Sequence, residues 1–189
     1  MKSAIAMAAT AVILFLAVPS VRADDEAGNR LYVVANGAWY AKSVPAEPRG
    51  TKGKTLVYLA KEDGDKLQYS YDWYSPHDLC LMQWAWGVSV VRFGPWQRGS
   101  KASKEDFEMA FYNGDKLLAQ YSALDIAGSE ENVSQSISHY TVIRKVLGYR
   151  WIRSNDYVFE IERTDGKILA FDIGTGKVTE TRPGKPVAP

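Results

Sequence analysis

One turn recurs along this chain and limits its fold more than any other feature. Asp63-Gly64-Asp65-Lys66-Leu67 returns as Asn113-Gly114-Asp115-Lys116-Leu117 and, one residue shorter, as Asp165-Gly166-Lys167-Ile168, with the glycines spaced by 50 and then 52 residues. Glycine beside Asp or Asn supplies the positive φ that a tight hairpin turn demands. Each turn lies between strand-like runs: Thr55 to Ala60 and Leu67 to Trp73, Phe107 to Tyr112 and Leu117 to Tyr121, Tyr157 to Glu162 and Ile168 to Asp172. In Lys66 to Trp73 the residues Leu67, Tyr69, Tyr71 and Trp73 alternate with polar ones. That is the pattern of a strand with one buried and one wet face.

A second landmark keeps the same register. Gly37, in Asn36-Gly37-Ala38-Trp39-Tyr40, and Gly87, in Trp86-Gly87-Val88-Ser89-Val90, are 50 residues apart, and each stands 27 residues before its hairpin glycine. Polar loops with proline separate the two landmarks, Pro45 to Gly53 and Gly94 to Lys104. The repeat predicts an all-β fold of antiparallel four-stranded meanders about 50 residues long, propeller-like or sandwich-like, with units near 30–74, 79–122 and 138–181. A closed propeller needs at least about four blades, and the chain supplies three units, so an incomplete propeller or a sandwich is expected. Its exposed sheet edges then require a cover, either the segment Ala123 to Ile137 or a second copy of the chain in a homo-oligomer. A short helical insertion near 122–137 is expected, because Ser122 followed by Asp125 forms a helix cap and Gly128-Ser129 ends the turn. The spacing of Val133, Ile137, Tyr140 and Val146 would suit a second helix over Asn132 to Leu147. The β-branched content of Tyr140 to Val146 favours a strand, which is the preferred reading.

The first 23 residues read as an export signal. Lys2 supplies a positive start, Ala4 to Val18 is an uncharged apolar run, and Val21-Arg22-Ala23 ends in a small residue where cleavage is expected. The run is 15 residues long, short of the roughly 20 that span a bilayer. The expectation is a single domain over 24–189, placed in the periplasm or outside the cell, with no membrane insertion after signal cleavage. Losing Lys2 and Arg22 moves the formal net charge from +1 to −1, a balance that argues against a nucleic-acid partner. The single cysteine, Cys80, lies in the apolar run Leu79 to Met82, and no second cysteine exists to form an intrachain disulfide with it. It reads as a buried core thiol, so no disulfide framework supports the domain.

Three segments carry a likeness to known proteins: Gly94-Pro95-Trp96, Ala110-Phe111-Tyr112 through Leu117-Leu118, and Ser136-Ile137-Ser138-His139-Tyr140. On these the chain resembles a group of exported bacterial proteins of similar size, over most of 24–189, and on its 50-residue repeat it resembles propeller-like proteins in the broad WD40 and quinoprotein-like sense. The resemblance implies the β architecture and brings no activity with it. The Trp-Asp and Gly-His pairs of WD40 blades are missing here, apart from an inverted Asp72-Trp73.

Chemistry-bearing residues are sparse. His77, in Ser75-Pro76-His77-Asp78, reads as a solvated loop histidine. His139 has Ser138 beside it, and strand alternation would send the two side chains to opposite faces. No Gly-x-Ser-x-Gly elbow occurs, so no catalytic residue is assigned. Two separated histidines and one thiol make no zinc site. The acidic turns lack the spaced ligands of a calcium loop, and no glycine fingerprint for a cofactor appears, so neither metal nor cofactor is assigned. What remains is aromatic: Trp73, Trp84, Trp86 and Trp96, with His139 and Tyr140, as a platform for a sugar ring or a partner's apolar anchor. The competing reading packs the tryptophans between sheets. Two functions are carried forward: a non-catalytic envelope module that binds a protein or glycan, and an exported hydrolase using the His139 region with a carboxylate such as Asp125.

Overall fold

A computed structural model of the chain describes residues 28–77, 79–85, 87–154 and 156–184. The expected export signal and Trp86 lie outside the described residues. These residues are mostly strand and form four antiparallel sheets, none of them closed. The first sheet is a meander of β1 (Tyr32–Asn36), β2 (Trp39–Pro45), β3 (Gly53–Leu59) and β4 (Lys66–Tyr71). The second holds β5 (Cys80–Trp84), β6 (Gly87–Phe93), β8 (Phe107–Asn113) and β9 (Lys116–Ser122), with β7 (Gln97–Arg98) leaving it between β6 and β8. The third holds β12 (Ile143–Arg153), β13 (Asp156–Arg163), β14 (Lys167–Asp172) and β15 (Val178–Pro183). A small fourth sheet joins β7 to β11 (His139–Thr141) and β10 (Ser134–Gln135).

The three recurring glycines all turn hairpins with positive φ, at 120°, 58° and 79° for Gly64, Gly114 and Gly166. Their stations differ. Gly64 and Gly114 join the third and fourth strands of their sheets, whereas Gly166 joins the second and third. Matching turn chemistry therefore marks hairpins here and not equivalent positions of one unit. The third meander also begins at Ile143 instead of near 138, because 139–141 pair with β7 and β10.

The second sheet is the middle layer, and its two faces serve two cores. Alternate residues point to opposite sides of a strand. Val88, Val90, Ala110 and Tyr112 pack against the first sheet with Ala41, Val57 and Trp73. Val91, Phe93, Met109 and Phe111 pack against the third with Phe159, Ile161, Leu169 and Phe171. Burial on both faces explains why β6 and β8 read as near-continuous apolar runs, unlike the alternating β3. Phe111 is central to the second core, its ring 4.9 Å from Phe171 and 5.9 Å from Phe159.

The far faces of the outer sheets are polar, which ends the stack. On the first sheet Tyr40 stacks on Tyr58 at 5.0 Å and donates to the Asp65 carboxylate at 2.6 Å. On the third, buried Glu160 accepts from Arg150 at 2.7 Å and Arg182 at 2.9 Å, and buried Glu162 pairs with Arg144.

A short helix, α1 (Ala123–Ala127), follows β9 with Ser122 as its cap. The Asp125 amide donates to the Ser122 hydroxyl, and the Asp125 carboxylate accepts from the Ser122 amide, the reciprocal box that satisfies two free N–H groups. Residues 139–141 and 143–153 are strands, so no second helix forms. Cys80 is half-buried against the core between the second and third sheets. No helix among the described residues is long and apolar enough to cross a membrane.

Candidate functional site

The segment after β6 leaves its sheet because of one close approach. The Gly94 amide donates to the Glu108 carbonyl at 2.7 Å, and a Cβ on Gly94 would meet the Phe107 carbonyl at 2.0 Å, so only glycine fits. Pro95 and Trp96 follow, and β7 then pairs with β11, Gln97 opposite Tyr140 and Arg98 opposite His139. The Gln97 amide donates to the Phe107 carbonyl at 2.6 Å and anchors this excursion. A second chain segment arrives from the linker between the first and second sheets. The Ser75 hydroxyl donates to the Phe93 carbonyl at 3.2 Å, and the Tyr32 hydroxyl donates to the His77 carbonyl at 2.7 Å.

Trp96 lies where these segments meet and is 44% exposed. His77 stacks on it, with centroids 5.7 Å apart and planes 21° apart, and His139 meets it edge-on at 6.0 Å. Both histidines of the chain thus flank one indole. His77, read from sequence as a solvated loop residue, is half-buried here. His139 is 8% exposed, with Nδ1 2.8 Å from the Ser138 hydroxyl and Nε2 buried without a hydrogen-bond partner among the described residues. That contact departs from the expected opposite-face placement. Ser138 precedes β11 in a bend, where strand alternation does not apply. Tyr140 is buried, and its hydroxyl donates to the Asp106 carboxylate. Burial, together with that carboxylate, pushes the Tyr140 phenol well above its usual range.

Glu108 completes the cluster. It sits at an irregularity of the β8 and β9 pairing, between Phe107 and Met109, where a bulge re-aims a side chain. It is 9% exposed. Burial pushes its carboxyl up to about 7, against a hydrogen bond from Gln97 that favours the ionised form, and the charge of Asp106 adds to the rise. Glu108 lines a hollow of about 160 Å³ with His77, Phe93, Trp96, Gln97 and Tyr140. A second hollow of about 230 Å³ shares Trp96 and Tyr140 and adds His139 and Ser136.

Of the tryptophans expected to form a platform, Trp73 and Trp84 lie apart from Trp96, and Trp86 is outside the described residues. Trp73 is buried between the first and second sheets, stacked on Tyr71 at 4.7 Å, with the Arg92 guanidinium 4.8 Å from its ring. Trp84 is half-buried against the other core, where its ring approaches Gly174. Trp96, His139 and Tyr140 do come together. Asp125, the carboxylate considered for hydrolysis, is occupied by the helix cap and by Lys104 at 3.6 Å. The Ser122 hydrogen bonds hold it below the usual carboxylate range. Among the described residues no three His, Cys, Asp or Glu side chains converge as a metal site would require.

Sequence reasoning missed His77, Gln97 and Glu108. Glu108 had one local signal, an acid inside the apolar run Phe107 to Tyr112. Comparison with known protein families, with curated proteins and with solved structures finds no match for this chain.

Proposed function

We propose that this chain is an exported, non-catalytic binding module of the cell envelope that recognises a protein or glycan partner at Trp96. In this reading its three meanders form an open, propeller-like scaffold. The observation that carries it is an indole left 44% exposed while fixed by two imidazoles and bordered by two hollows. A large aromatic surface held in place loses little freedom on contact, which is why such residues dominate interfaces and sugar sites. Export is supported by the pattern of Lys2, Ala4 to Val18 and Val21-Arg22-Ala23.

The test pairs localisation with binding. Expressed with its own first 23 residues, the protein is expected outside the cytoplasm with Asp24 as its first residue; retention of the whole chain in the cytoplasm removes the export reading. Against a panel of glycans and purified envelope proteins, Trp96→Ala is expected to lose at least tenfold in affinity, about 1.4 kcal/mol. Unchanged affinity removes Trp96 from the interface. A second reading, hydrolysis through the His139 region, draws on the 2.8 Å contact between Ser138 and His139. A His139→Ala variant that keeps every hydrolytic activity of the parent ends it.

A further inference from the structure

Three carboxylic side chains are buried in the described residues, and two of them are matched by arginine. Glu160 has Arg150 and Arg182, and Glu162 has Arg144. Glu108, just as buried, has no ion pair among the described residues; its neighbour is the neutral amide of Gln97. That amide bonds Glu108 as well as the Phe107 carbonyl but brings no charge, and the Tyr140 hydroxyl donates to Asp106. A buried carboxylate without a countercharge is costly, and the cost is relieved by a cation that enters beside it.

Glu108 is also open to such an entrant, because it lines the hollow beside Trp96, and no Lys or Arg is among the residues lining that hollow. Its remaining walls are largely aromatic or apolar, including Trp96, Phe93, Tyr140 and Val146. Aromatic faces next to a carboxylate attract an organic cation, through the ring quadrupole as well as through charge. The volume, about 160 Å³, is below the roughly 300 Å³ at which pockets for drug-sized ligands begin. It suits the end of a chain better than a whole ring system. A bare divalent ion would need six or more oxygen ligands, and no such cluster of acids is present among the described residues.

We infer that this hollow receives a primary ammonium group on an alkyl stem, with the ammonium at the Glu108 carboxylate and the stem along Trp96 and Phe93. The inference rests on the reading of Trp96 as the binding surface and names the ligand chemistry for it. The group has two sources, a lysine side chain of a protein partner or a free alkylamine. Binding favours the ionised carboxyl, so affinity falls as pH drops through the Glu108 titration. The other titratable groups facing Glu108 are His77 from the linker, Tyr140 on β11 and Asp106 ahead of β8. Because His77 lines the same hollow, the Glu108 variant is needed to isolate the part played by Glu108.

The experiment titrates the full chain at pH 8 with n-butylammonium, the peptide acetyl-Gly-Lys-Gly-amide, neutral n-butanol and a methyl glycoside. It follows heat of binding and the Glu108 carboxyl resonance. Butylammonium and the lysine peptide are expected to bind at least tenfold more tightly than butanol. Glu108→Gln, a neutral isostere, is expected to lose at least tenfold for both. In the parent, saturating ammonium is expected to lower the Glu108 titration midpoint by one pH unit or more. A peptide preferred tenfold over butylammonium supports a lysine of a partner, and equal affinities support a free amine. Equal binding of butanol, an unmoved midpoint, or full ammonium binding by Glu108→Gln overturns the ammonium site. If ammonium fails while Trp96→Ala still abolishes binding to a glycan or envelope protein, only the ligand chemistry falls. If no binding depends on Trp96, the surface itself falls.

Discussion

Trp96 and His77 stack ring on ring, with 5.7 Å between centroids and 21° between planes, although one belongs to an excursion of the second sheet and the other to the linker before it. His139 adds an edge contact from a third segment. Trp96→Ala is expected to shift the imidazole proton resonances of both histidines, because the ring current of one indole reaches both. Trp73→Phe, buried elsewhere, is expected to move neither. Trp96→Ala is expected to cost about 1 kcal/mol or less in a urea melt, since nearly half of the side chain already faces water.

Glu108 ties stability to pH. Its carboxyl is raised to about 7 in the folded chain, chiefly by burial. Below about 4.5 both folded and unfolded states carry the proton, and the group contributes nothing. Between there and 7 the unfolded state ionises first and binds fewer protons, so stability falls as pH rises, by on the order of 3 kcal/mol in all. Thermal melts at pH 5 and pH 8 are expected to show Glu108→Gln gaining on the parent at the higher pH. A pH-independent difference between the two would remove Glu108 as the cause.

Phe111 joins rings from the second and third sheets. Phe111→Ala is expected to cost about 3–5 kcal/mol through lost burial and the cavity left behind. For a chain of this size that lowers Tm by roughly 10 °C or more. Leu117→Ala, at a side chain about half exposed, is expected to cost well under 1 kcal/mol in the same calorimetric comparison.

Arg163 links β13 to α1. It is buried, donates to the Ile126 carbonyl at 3.1 Å and pairs with Asp165. The hydrogen bond from Arg163 holds the Asp165 carboxyl down to about 2. The stability from this depressed value is present above about 3.8 and is lost as pH falls toward 2. Arg163→Met is expected to return the Asp165 titration toward its ordinary range and to cost about 3 kcal/mol at pH 7, because the Ile126 carbonyl loses its guanidinium donor while Asp165 keeps only Lys167. A carboxyl titration by NMR with a parallel urea melt checks both.

Much of the framework was legible because its determinants are local. Gly64, Gly114 and Gly166 all turn hairpins, as a glycine at positive φ between β-rich runs demands, and the Ser122 and Asp125 cap is a four-residue signal. What local chemistry does not carry is station within a sheet. Gly166 makes the same turn as Gly114, yet one strand of its sheet, β12, precedes its hairpin, where β5 and β6 precede that of Gly114. The site was legible in part for the same reason. Trp96, His139 and Tyr140 were singled out as chemistry-bearing side chains, but Trp73 and Trp84 went to cores whose second walls come from distant strands. His77 and Glu108 reach Trp96 only through the pairing of β7 with β11 and the turn at Gly94, contacts that no window of sequence contains.

The doubly buried middle sheet also sets a timetable for a chain that emerges from the ribosome N-terminus first. Once Ser122 has appeared, the first core has both of its walls. Val91, Phe93, Met109 and Phe111, on the reverse side, must wait for the strands between Ile143 and Pro183. At about 5–20 residues per second, the remaining stretch of about 60 residues takes roughly 3 to 12 s to deliver. Throughout that interval the half-made protein shows an oily back to its surroundings, a natural target for a holding chaperone.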